Sequence, residues 1–335
     1  MLEKYGLEKY GHGGDLITAE KLYGIRKEDL LDFSANMNPF GPPSVVKKII
    51  ADFWRDIAHY PDPAARELRE CLAVRHRIPA DCILAGNGAA ELIDLVIRFL
   101  KPRVILVTAP SFSEYRQAAL NAGATIRELR LSREEQFVLT PRCLKEGFQE
   151  CDLLLLGHPN NPTGRRIPRV TLDMIVESGI SVVVDEAFLD FSADEEEATL
   201  IRAAAENQRL FVIRSMTKFF SIPGIRLGYL AAASENIAAL RKLQVPWSVN
   251  ALAQKIGPAV LCERDFIAKT KQWLPDERGW FAARLEELGL TVFPSEANFL
   301  LFSIPPAWNT DIRSLQQQMG RRGILVRDAS LFSGL

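Results

Sequence analysis

Residues 210–229 read LFVIRSMTKFFSIPGIRLGY, and this stretch carries both a structural and a chemical signal. Its first four residues are apolar, and a short run rich in β-branched and aromatic residues predicts a buried strand. Polar residues follow at once, with Ser215 and Lys218 directly after the run and Arg226 further along. A lysine in apolar surroundings has a lowered pKa and can act as a nucleophilic amine, although most lysines are simply solvated. The stretch therefore predicts a strand that ends near a candidate reactive amine.

Similar apolar runs occur elsewhere in the chain, and they alternate with amphipathic segments. Runs that predict buried parallel strands lie at 82–85, 104–108, 153–157, 181–184, 210–213 and 228–232. Helical patterns lie at 45–57, 66–76, 90–100, 114–121, 169–177 and 199–206. Strands that alternate with helices predict an α/β domain in which helices cover a mostly parallel sheet.

The last third of the chain has a different pattern. A long helical pattern spans 250–288, and we expect a kink or a break near Pro275 because proline cannot donate a helix hydrogen bond. Strand-like pieces follow at 291–293, 299–304 and 324–327. The length of 335 residues is compatible with roughly two domains. We expect an N-terminal arm over 1–43, a large domain over 44–245 and a small α+β domain over 246–335.

The composition limits the kinds of partner that the chain can have. Lysine and arginine number 41, and aspartate and glutamate number 42, so the net charge of −1 gives no support to nucleic-acid binding. No apolar run approaches the roughly 18 residues that indicate a membrane span. The 5 cysteines are widely spaced, which predicts neither a disulfide framework nor a metal site. The first residues show no secretory signal, so we expect a cytoplasmic protein.

Polar or aromatic residues follow several of the predicted strands. Phe112, Asn161 and Asp185 each come after one of the apolar runs. In open α/β sheets, ligands bind beyond the carboxyl ends of the strands, where these side chains would meet. Asp185 alone could merely end a strand, so the signal lies in the convergence of several such residues.

A glycine turn follows the run at 82–85 and opens a predicted helix at Gly88, Ala89 and Ala90. Such a turn is either an ordinary connection or a cradle in which backbone N–H groups bind a phosphate. Together with the amine of Lys218 and the acid of Asp185, a phosphate cradle matches the needs of pyridoxal phosphate. This cofactor is held by a lysine as a Schiff base, and an acid keeps its pyridine nitrogen protonated.

Three motifs in the right order resemble a known family. They are Ser215-x-x-Lys218 followed by Gly224-x-Arg226-x-Gly228-Tyr229, Asn161-Pro162-Thr163-Gly164, and Asp185-Glu186-Ala187. The chain resembles the fold type I pyridoxal-phosphate enzymes of the class I and II aminotransferase family over about residues 11–335. The resemblance implies a large domain with a mostly parallel seven-stranded sheet flanked by helices, and a smaller α+β domain.

The resemblance also implies roles for individual residues. Lys218 would form the Schiff base and Asp185 would pair with the pyridine nitrogen, so these two residues would be catalytic. Asn161 would hydrogen-bond the ring 3-oxygen, and Phe112 would stack on the ring. The cofactor phosphate would be bound by Gly88, Ala89, Ala90, Ser215 and Arg226. Tyr60 would reach the phosphate in the partner subunit, which implies a homodimer with shared active sites; the alternative is an ordinary loop tyrosine.

Within the family, the chain is most similar to the threonine-phosphate decarboxylases of cobalamin biosynthesis. The similarity lies in the string His12-Gly13-Gly14-Asp15 and in Phe188, where histidinol-phosphate aminotransferases usually carry a tyrosine. The implied substrate is a phosphorylated amino acid, L-threonine O-3-phosphate, decarboxylated to (R)-1-amino-2-propanol O-2-phosphate. It would be bound by His12, Gly13, Asn36, Asn161 and Arg327.

Two alternatives to this activity stay open from the sequence. The first is a histidinol-phosphate aminotransferase or a related aminotransferase, and the second is a regulatory protein that binds pyridoxal phosphate without catalysis. In the family, a second arginine beyond Arg327 clamps the substrate α-carboxylate; the sequence ends at Leu335 before that position, so no residue is assigned to this carboxylate. We also expect a cis peptide bond between Asn161 and Pro162, which would turn the asparagine toward the ring.

Overall fold

The computed structural model describes Leu7 and residues 13–148 and 151–335, and of residue 146 only the backbone. The substrate contact predicted for His12 lies outside the described residues. Within the described ranges, no helix combines the length and the apolar character needed to cross a membrane. Cytoplasmic residence stays a prediction.

The strands form one large and two small sheets. In chain order they are β1 (Leu31–Asp32), β2 (Ile83–Gly86), β3 (Val104–Ala109), β4 (Thr125–Arg130), β5 (Leu153–Gly157), β6 (Ser181–Asp185), β7 (Leu210–Ser215), β8 (Gly228–Ala231), β9 (Thr291–Phe293), β10 (Leu301–Ser303) and β11 (Ile324–Leu325). The large sheet has seven strands in the order β2-β8-β7-β6-β5-β3-β4. The predicted α/β fold with a seven-stranded sheet is thereby confirmed.

One strand of the large sheet runs against the others. β8 is antiparallel to both of its neighbours, β2 and β7, whereas the remaining neighbours pair in parallel. The prediction that residues 228–232 form a parallel strand is therefore wrong. The connection from β7 to β8 contains one four-residue helix, and a parallel crossover usually needs a helix long enough to cover the sheet.

The edge strand β4 was not among the predicted strands. Its sequence is TIRELR, and each of its residues is either exposed or half-buried. It pairs only with β3, in parallel, so it has one neighbour and borders solvent. An edge strand needs no unbroken apolar run, and therefore the apolar pattern did not reveal it.

The inner strands are buried on both faces, which explains their unbroken apolar sequences. In β5, Leu154 and Leu156 pack in a core cluster on one face, and Leu153 and Leu155 pack in a second cluster on the other. This division follows from the alternation of side chains along a strand. The two clusters hold the sheet between layers of helices.

The helices in chain order are α1 (Leu16–Tyr23), α2 (Ser44–Phe53), α3 (Arg66–His76), α4 (Ala89–Leu100), α5 (Ser113–Asn121), α6 (Pro141–Gly147), α7 (Arg169–Glu177), α8 (Glu195–Ala198), α9 (Ile201–Glu206), α10 (Met216–Phe219), α11 (Ser234–Leu243), α12 (Ala251–Leu261), α13 (Arg264–Glu287) and α14 (Ile312–Gly320). The predictions for α3 and α7 are confirmed to the residue. The helix predicted over 45–57 ends earlier, at Phe53.

Of the kink or break predicted near Pro275, the break is wrong. The helical pattern divides earlier, at Cys262 and Glu263, and α13 continues through Pro275. Thr270 and Leu274 of α13, which precede Pro275, are buried. Their tertiary packing outweighs the hydrogen bond that proline cannot donate.

Two small sheets complete the fold. β9 and β10 form an antiparallel pair, and β1 pairs in parallel with β11. The strand predicted over 324–327 ends at Leu325, so Arg327 follows the strand instead of lying in it. The pairing of β1 with β11 places residues 31–32 beside residues 324–325, while the predicted domain limits themselves stay a prediction.

Candidate active site

Several strand ends of the large sheet meet at one edge. Asp185, at the end of β6, lies opposite Gly157 of β5, and Ser215, at the end of β7, lies opposite Gly228 of β8. Gly228 also lies opposite Gly86 at the end of β2. The antiparallel β8 thus begins where its neighbours end. The predicted convergence of these strand ends is confirmed.

Lys218 lies just beyond this edge, in the short helix α10. Its Nζ donates a hydrogen bond to Thr217 Oγ1 at 3.1 Å. Burial lowers the pKa of the Lys218 amine, Asp185 opposes this effect, and the positive charge of Arg226 adds to it. A buried amine with a lowered pKa is nucleophilic, so Lys218 can react with an aldehyde.

Asp185 is a buried carboxylate whose two oxygens each accept a hydrogen bond. Tyr115 Oη donates to Asp185 Oδ2 at 2.9 Å, and the Ala187 backbone N–H donates to Asp185 Oδ1 at 3.0 Å. Burial raises the pKa of Asp185, while these two hydrogen bonds and the nearby Lys218 oppose the rise. A buried carboxylate near a reactive amine can pair with a protonated ring nitrogen.

The glycine turn before α4 lies against the guanidinium of Arg226. Gly88 is the N-cap residue of α4 with a φ of +84°, a conformation that favours glycine. A Cβ at Gly88 would lie 2.5 Å from Arg226 Nη2. The first N–H groups of α4, from Ala89 and Ala90 onward, have no partner within the helix. Backbone N–H groups, the helix dipole and a guanidinium together can hold a phosphate.

Ser215 borders the same cradle from the neighbouring strand. The side chain is buried, and its Oγ lies 2.8 Å from Thr217 Oγ1. A Cβ at Gly228, opposite Ser215 in the ladder, would lie 2.9 Å from the Ala89 nitrogen. The absence of a side chain at Gly228 therefore lets β8 approach the start of α4.

Asn161 is positioned by a turn that Asn160 stabilises. Asn160 Nδ2 donates to the Pro110 carbonyl at 3.1 Å and to Thr163 Oγ1 at 3.0 Å. The peptide bond between Asn161 and Pro162 is cis, as predicted. Asn161 is half-buried and lies in the loop that follows β5, whose last residue, Gly157, pairs with Asp185.

Phe112 precedes α5 and lies beside Tyr115. The two rings are 5.6 Å apart at an angle of 86°. Because Tyr115 contacts Asp185, the structure places Phe112 in the same part of the molecule as the carboxylate. This placement is compatible with stacking on a bound ring.

The predicted substrate residues come from both ends of the chain. Gly13 is packed so closely on the Ser34 carbonyl that a Cβ would overlap it. Asn36 is half-buried. The Arg327 guanidinium lies over the Phe332 ring, with 4.7 Å between Cζ and the ring centroid. These contacts describe the surroundings of Gly13 and Arg327, and the binding of substrate by these residues stays a prediction.

Tyr60 differs from the buried site residues in its exposure. It is 82% exposed, and its ring lies 4.7 Å from the ring of Trp247. An exposed aromatic pair of this kind is compatible with the predicted contact to a partner subunit.

Asn38 is a positioning residue whose contacts sequence reasoning missed. Its backbone N–H donates to the Lys218 carbonyl at 3.2 Å. Its Nδ2 donates to the Phe219 carbonyl at 2.8 Å and to Thr270 Oγ1 at 3.0 Å. The sequence linked the nearby Asn36 to the substrate, but the contacts of Asn38 with α10 depend on partners far away in the chain.

A second missed feature is a buried group of charged side chains, here called the Arg214 cluster. Its members are Arg75, Glu186, Asp190, Glu195, Arg214 and Lys271. Arg214 is fully buried, and its guanidinium lies 2.8 Å from Glu186 and 3.0 Å from Glu195. Glu186 follows Asp185, and Arg214 precedes Ser215, so the cluster joins the ends of β6 and β7.

The assembled groups fit pyridoxal phosphate. Lys218 offers the amine, Asp185 offers the acid, and the turn at Gly88 with Arg226 offers a cradle that a single Cβ would fill. In the described part of the chain, no group of three or more His, Cys, Asp or Glu side chains could hold a metal ion.

Comparisons with known proteins agree with this fit. Residues 28–333 match the family described as aminotransferase class I and II. The chain is 39% identical over 330 residues to a threonine-phosphate decarboxylase of Salmonella typhimurium, covering 97% of this chain and 89% of the relative. The solved histidinol-phosphate aminotransferase of Clostridium acetobutylicum has a TM-score of 0.84 and 29% identity, covering 91% of both chains. The L-threonine-O-3-phosphate decarboxylase of Porphyromonas gingivalis has a TM-score of 0.79 and 25% identity, covering 90% of both.

The predicted family resemblance is confirmed by a family match that covers most of the chain and by a relative that aligns with 97% of it. The central sheet and the site at its edge agree with that assignment. The chain belongs to the class I and II aminotransferase family, and it is a fold type I enzyme that depends on pyridoxal phosphate.

Proposed function

We propose that the chain decarboxylates L-threonine O-3-phosphate to (R)-1-amino-2-propanol O-2-phosphate and carbon dioxide, a step of cobalamin biosynthesis. The observation that carries the proposal is the 39% identity to the Salmonella decarboxylase across 97% of this chain. Phe188 supports it from the site, because this buried ring packs against Phe299 and offers no hydroxyl to a cofactor.

In this proposal the described residues hold the cofactor from three sides. Lys218 binds its aldehyde, Asp185 pairs with its ring nitrogen, and Asn161 and Phe112 contact its ring. The phosphate is bound by Gly88, Ala89, Ala90, Ser215 and Arg226. When bound, pyridoxal phosphate supplies an electron sink for the bond that breaks at the substrate α-carbon.

Orientation of the substrate decides which bond breaks. Decarboxylation requires the bond between the α-carbon and the carboxylate to lie perpendicular to the cofactor ring. We propose that Arg327, with Gly13, Asn36, Asn161 and His12, binds the substrate and sets this rotation. The Arg327 guanidinium lies over the Phe332 ring, and a planar guanidinium can bind a phosphate through two hydrogen bonds.

After carbon dioxide leaves, a proton must reach the α-carbon. Lys218 is the described group best suited to deliver it, because its amine is buried among the site residues and has a lowered pKa. A proton donor is most effective when its pKa lies near the working pH. The same amine would move the proton between two carbons in a transamination.

Transamination of histidinol phosphate is the second candidate, because the aminotransferase of Clostridium acetobutylicum is structurally similar, with a TM-score of 0.84. The test incubates the holoenzyme with threonine phosphate and, separately, with histidinol phosphate and 2-oxoglutarate. Carbon dioxide released from threonine phosphate without any oxo acid supports the proposal. Turnover that requires 2-oxoglutarate contradicts it, and binding of pyridoxal phosphate without either reaction would indicate the regulatory alternative.

We also propose a homodimer in which Tyr60 contacts the cofactor phosphate of the partner subunit. Its support is the exposed aromatic and aliphatic surface around Tyr60, with Trp54, Ile57 and Trp247 each 47% to 62% exposed. Mixing Tyr60→Ala and Lys218→Ala subunits tests sharing, since each mixed dimer regains one intact site. We expect about a quarter of the wild-type activity in an equal mixture. No recovery after verified subunit exchange would contradict shared sites.

A further inference from the structure

Tyr115 is a buried tyrosine that no role in cofactor or substrate binding has so far required. It lies in the first turn of α5 and is 2% exposed. Its hydroxyl donates to Asp185 Oδ2 at 2.9 Å, across 70 residues of sequence. The same ring packs edge-on against Phe112, so one helical turn contacts both the predicted stacking residue and the predicted acid.

The direction of this hydrogen bond is fixed by chemistry. Burial and the adjacent carboxylate of Asp185 both raise the pKa of the Tyr115 phenol well above its ordinary value. The phenol therefore keeps its proton at neutral pH. A protonated hydroxyl donates to an ionised carboxylate, and this hydrogen bond favours the ionised form of the carboxylate.

The surroundings of Asp185 make this donor important. Burial favours the neutral acid, and three groups act against it: the Tyr115 hydroxyl, the Ala187 backbone N–H and the amine of Lys218. Among the described residues, Tyr115 and Lys218 are the ionisable groups that face the carboxylate. Lys218 makes no hydrogen bond to Asp185, so Tyr115 and Ala187 are the described protein groups that hold this carboxylate directly.

We propose that Tyr115 is a positioning residue that keeps Asp185 ionised and oriented toward the ring nitrogen of bound pyridoxal phosphate. The proposal rests on the role proposed for Asp185 and is independent of which reaction follows. It gives the start of α5 two roles, because Phe112, which precedes the helix, contacts the ring face, while Tyr115 in its first turn holds the acid at the ring nitrogen.

The test is the binding of pyridoxal phosphate to the apoenzyme as a function of pH, without substrate. Tyr115→Phe removes the hydroxyl and keeps the ring that packs on Phe112. We expect roughly ten- to a hundredfold weaker binding at neutral pH, the range for a lost hydrogen bond to a charged group. Because Asp185 would then protonate more readily, the loss of binding on acidification should begin at a higher pH than in the wild type.

Tyr229→Phe is the matched control. Tyr229 is also a buried tyrosine, and its hydroxyl lies 2.7 Å from His76 Nε2 instead of Asp185. This variant should lose thermal stability without moving the pH at which binding fails. If both variants lower the melting temperature alike and neither moves that pH, Tyr115 has only a structural role and the proposal is wrong.

A second variant keeps the proposal open to test if Tyr115→Phe does not fold. 3-Fluorotyrosine at position 115 retains the ring and the hydroxyl but is a stronger acid, and so a stronger donor. It should move the pH of binding loss in the opposite direction, toward lower values, and an unchanged or higher value would overturn the proposal. A wild-type protein that binds the cofactor but does not decarboxylate would contradict the proposed reaction alone.

Discussion

Replacement of Arg214 by methionine would remove the centre of the Arg214 cluster. The guanidinium lies 2.8 Å from Glu186, 3.0 Å from Glu195 and 3.2 Å from Asp190, and it is 0% exposed. Methionine has a similar length but no charge, so Arg214→Met leaves three buried carboxylates with fewer cationic partners. Arg75 and Lys271 still contact Glu195.

The expected loss of stability follows from burial. Removing one partner of a buried ion pair costs about 3–5 kcal/mol, because the remaining charge is left in a poorly solvating environment. Unfolding entropy of about 2.1 cal/mol/K per residue gives about 0.7 kcal/mol/K for 335 residues. The melting temperature should therefore fall by about 4–7 °C.

Arg169→Met is the matched control for this prediction. Arg169 Nε lies 2.8 Å from Asp173 Oδ1, the same distance as that from Arg214 Nε to Glu186 Oε2. The side chains of the Arg169 pair are 69% and 48% exposed, and such surface pairs contribute only about 0–1 kcal/mol. Calorimetry of both variants thus separates the effect of burial from the effect of the contact.

The loss in Arg214→Met should also depend on pH. Burial alone would raise the pKa of Glu195, but Arg214, Arg75 and Lys271 outweigh it and lower this pKa to about 2. A carboxylate whose pKa is lower in the folded than in the unfolded protein stabilises the fold at pH values above its unfolded-state pKa. This stabilisation is lost only as the pH falls toward 2. Without Arg214 the carboxylates take up protons at higher pH. The difference in melting temperature between Arg214→Met and the wild type should therefore be smaller at a pH of about 5 than at a pH of about 8. A melting temperature lowered no more than in Arg169→Met would refute the reasoning, and an equal deficit at both pH values would refute its electrostatic part.

Three further outcomes are expected. Gly88→Ala would place a Cβ 2.5 Å from Arg226 Nη2, so titration should show weaker pyridoxal phosphate binding; Gly24→Ala, with a φ of +69° and nothing within 4 Å, should bind normally. Lys218→Ala should lack the visible absorbance that borohydride reduces, and its persistence in a spectrum would contradict the assignment of the amine. Asn38→Ala leaves the Phe219 carbonyl and the Thr270 hydroxyl without this donor and should cost about 1–3 kcal/mol in chemical denaturation, whereas an unchanged midpoint would contradict the anchoring role.

The parts of the fold that were predictable are those determined by local pattern. β5 was predicted to the residue because its five residues are buried on both faces and read as one apolar run. β4 was missed because an edge strand with charged residues has no such run. Pro275 led to the opposite error, a predicted break where the helix continues, since the tertiary packing of α13 outweighs the local tendency of proline to end a helix.

For the site residues, too, the sequence predicted those that depend on local pattern and missed those that depend on distant contacts. Lys218, Asp185 and the turn at Gly88 lie in short motifs at strand ends, so their types and positions indicate the chemistry. Tyr115 contacts a residue 70 positions away, and Asn38 contacts one 232 positions away. Charged residues such as Arg214 normally indicate a solvated surface, and only the fold brings its acidic partners around it.

The long helix α13 contacts several separate parts of the molecule. With 24 residues it is about 36 Å long, and its contacts are spread along it. Thr270 accepts from Asn38 at 3.0 Å, Lys271 contacts Glu195 at 2.7 Å, and Arg278 donates to the Ala297 carbonyl at 2.9 Å. A displacement of α13 would therefore affect three regions at once: the segment around Asn38 that contacts Lys218, the Arg214 cluster and the loop before β10.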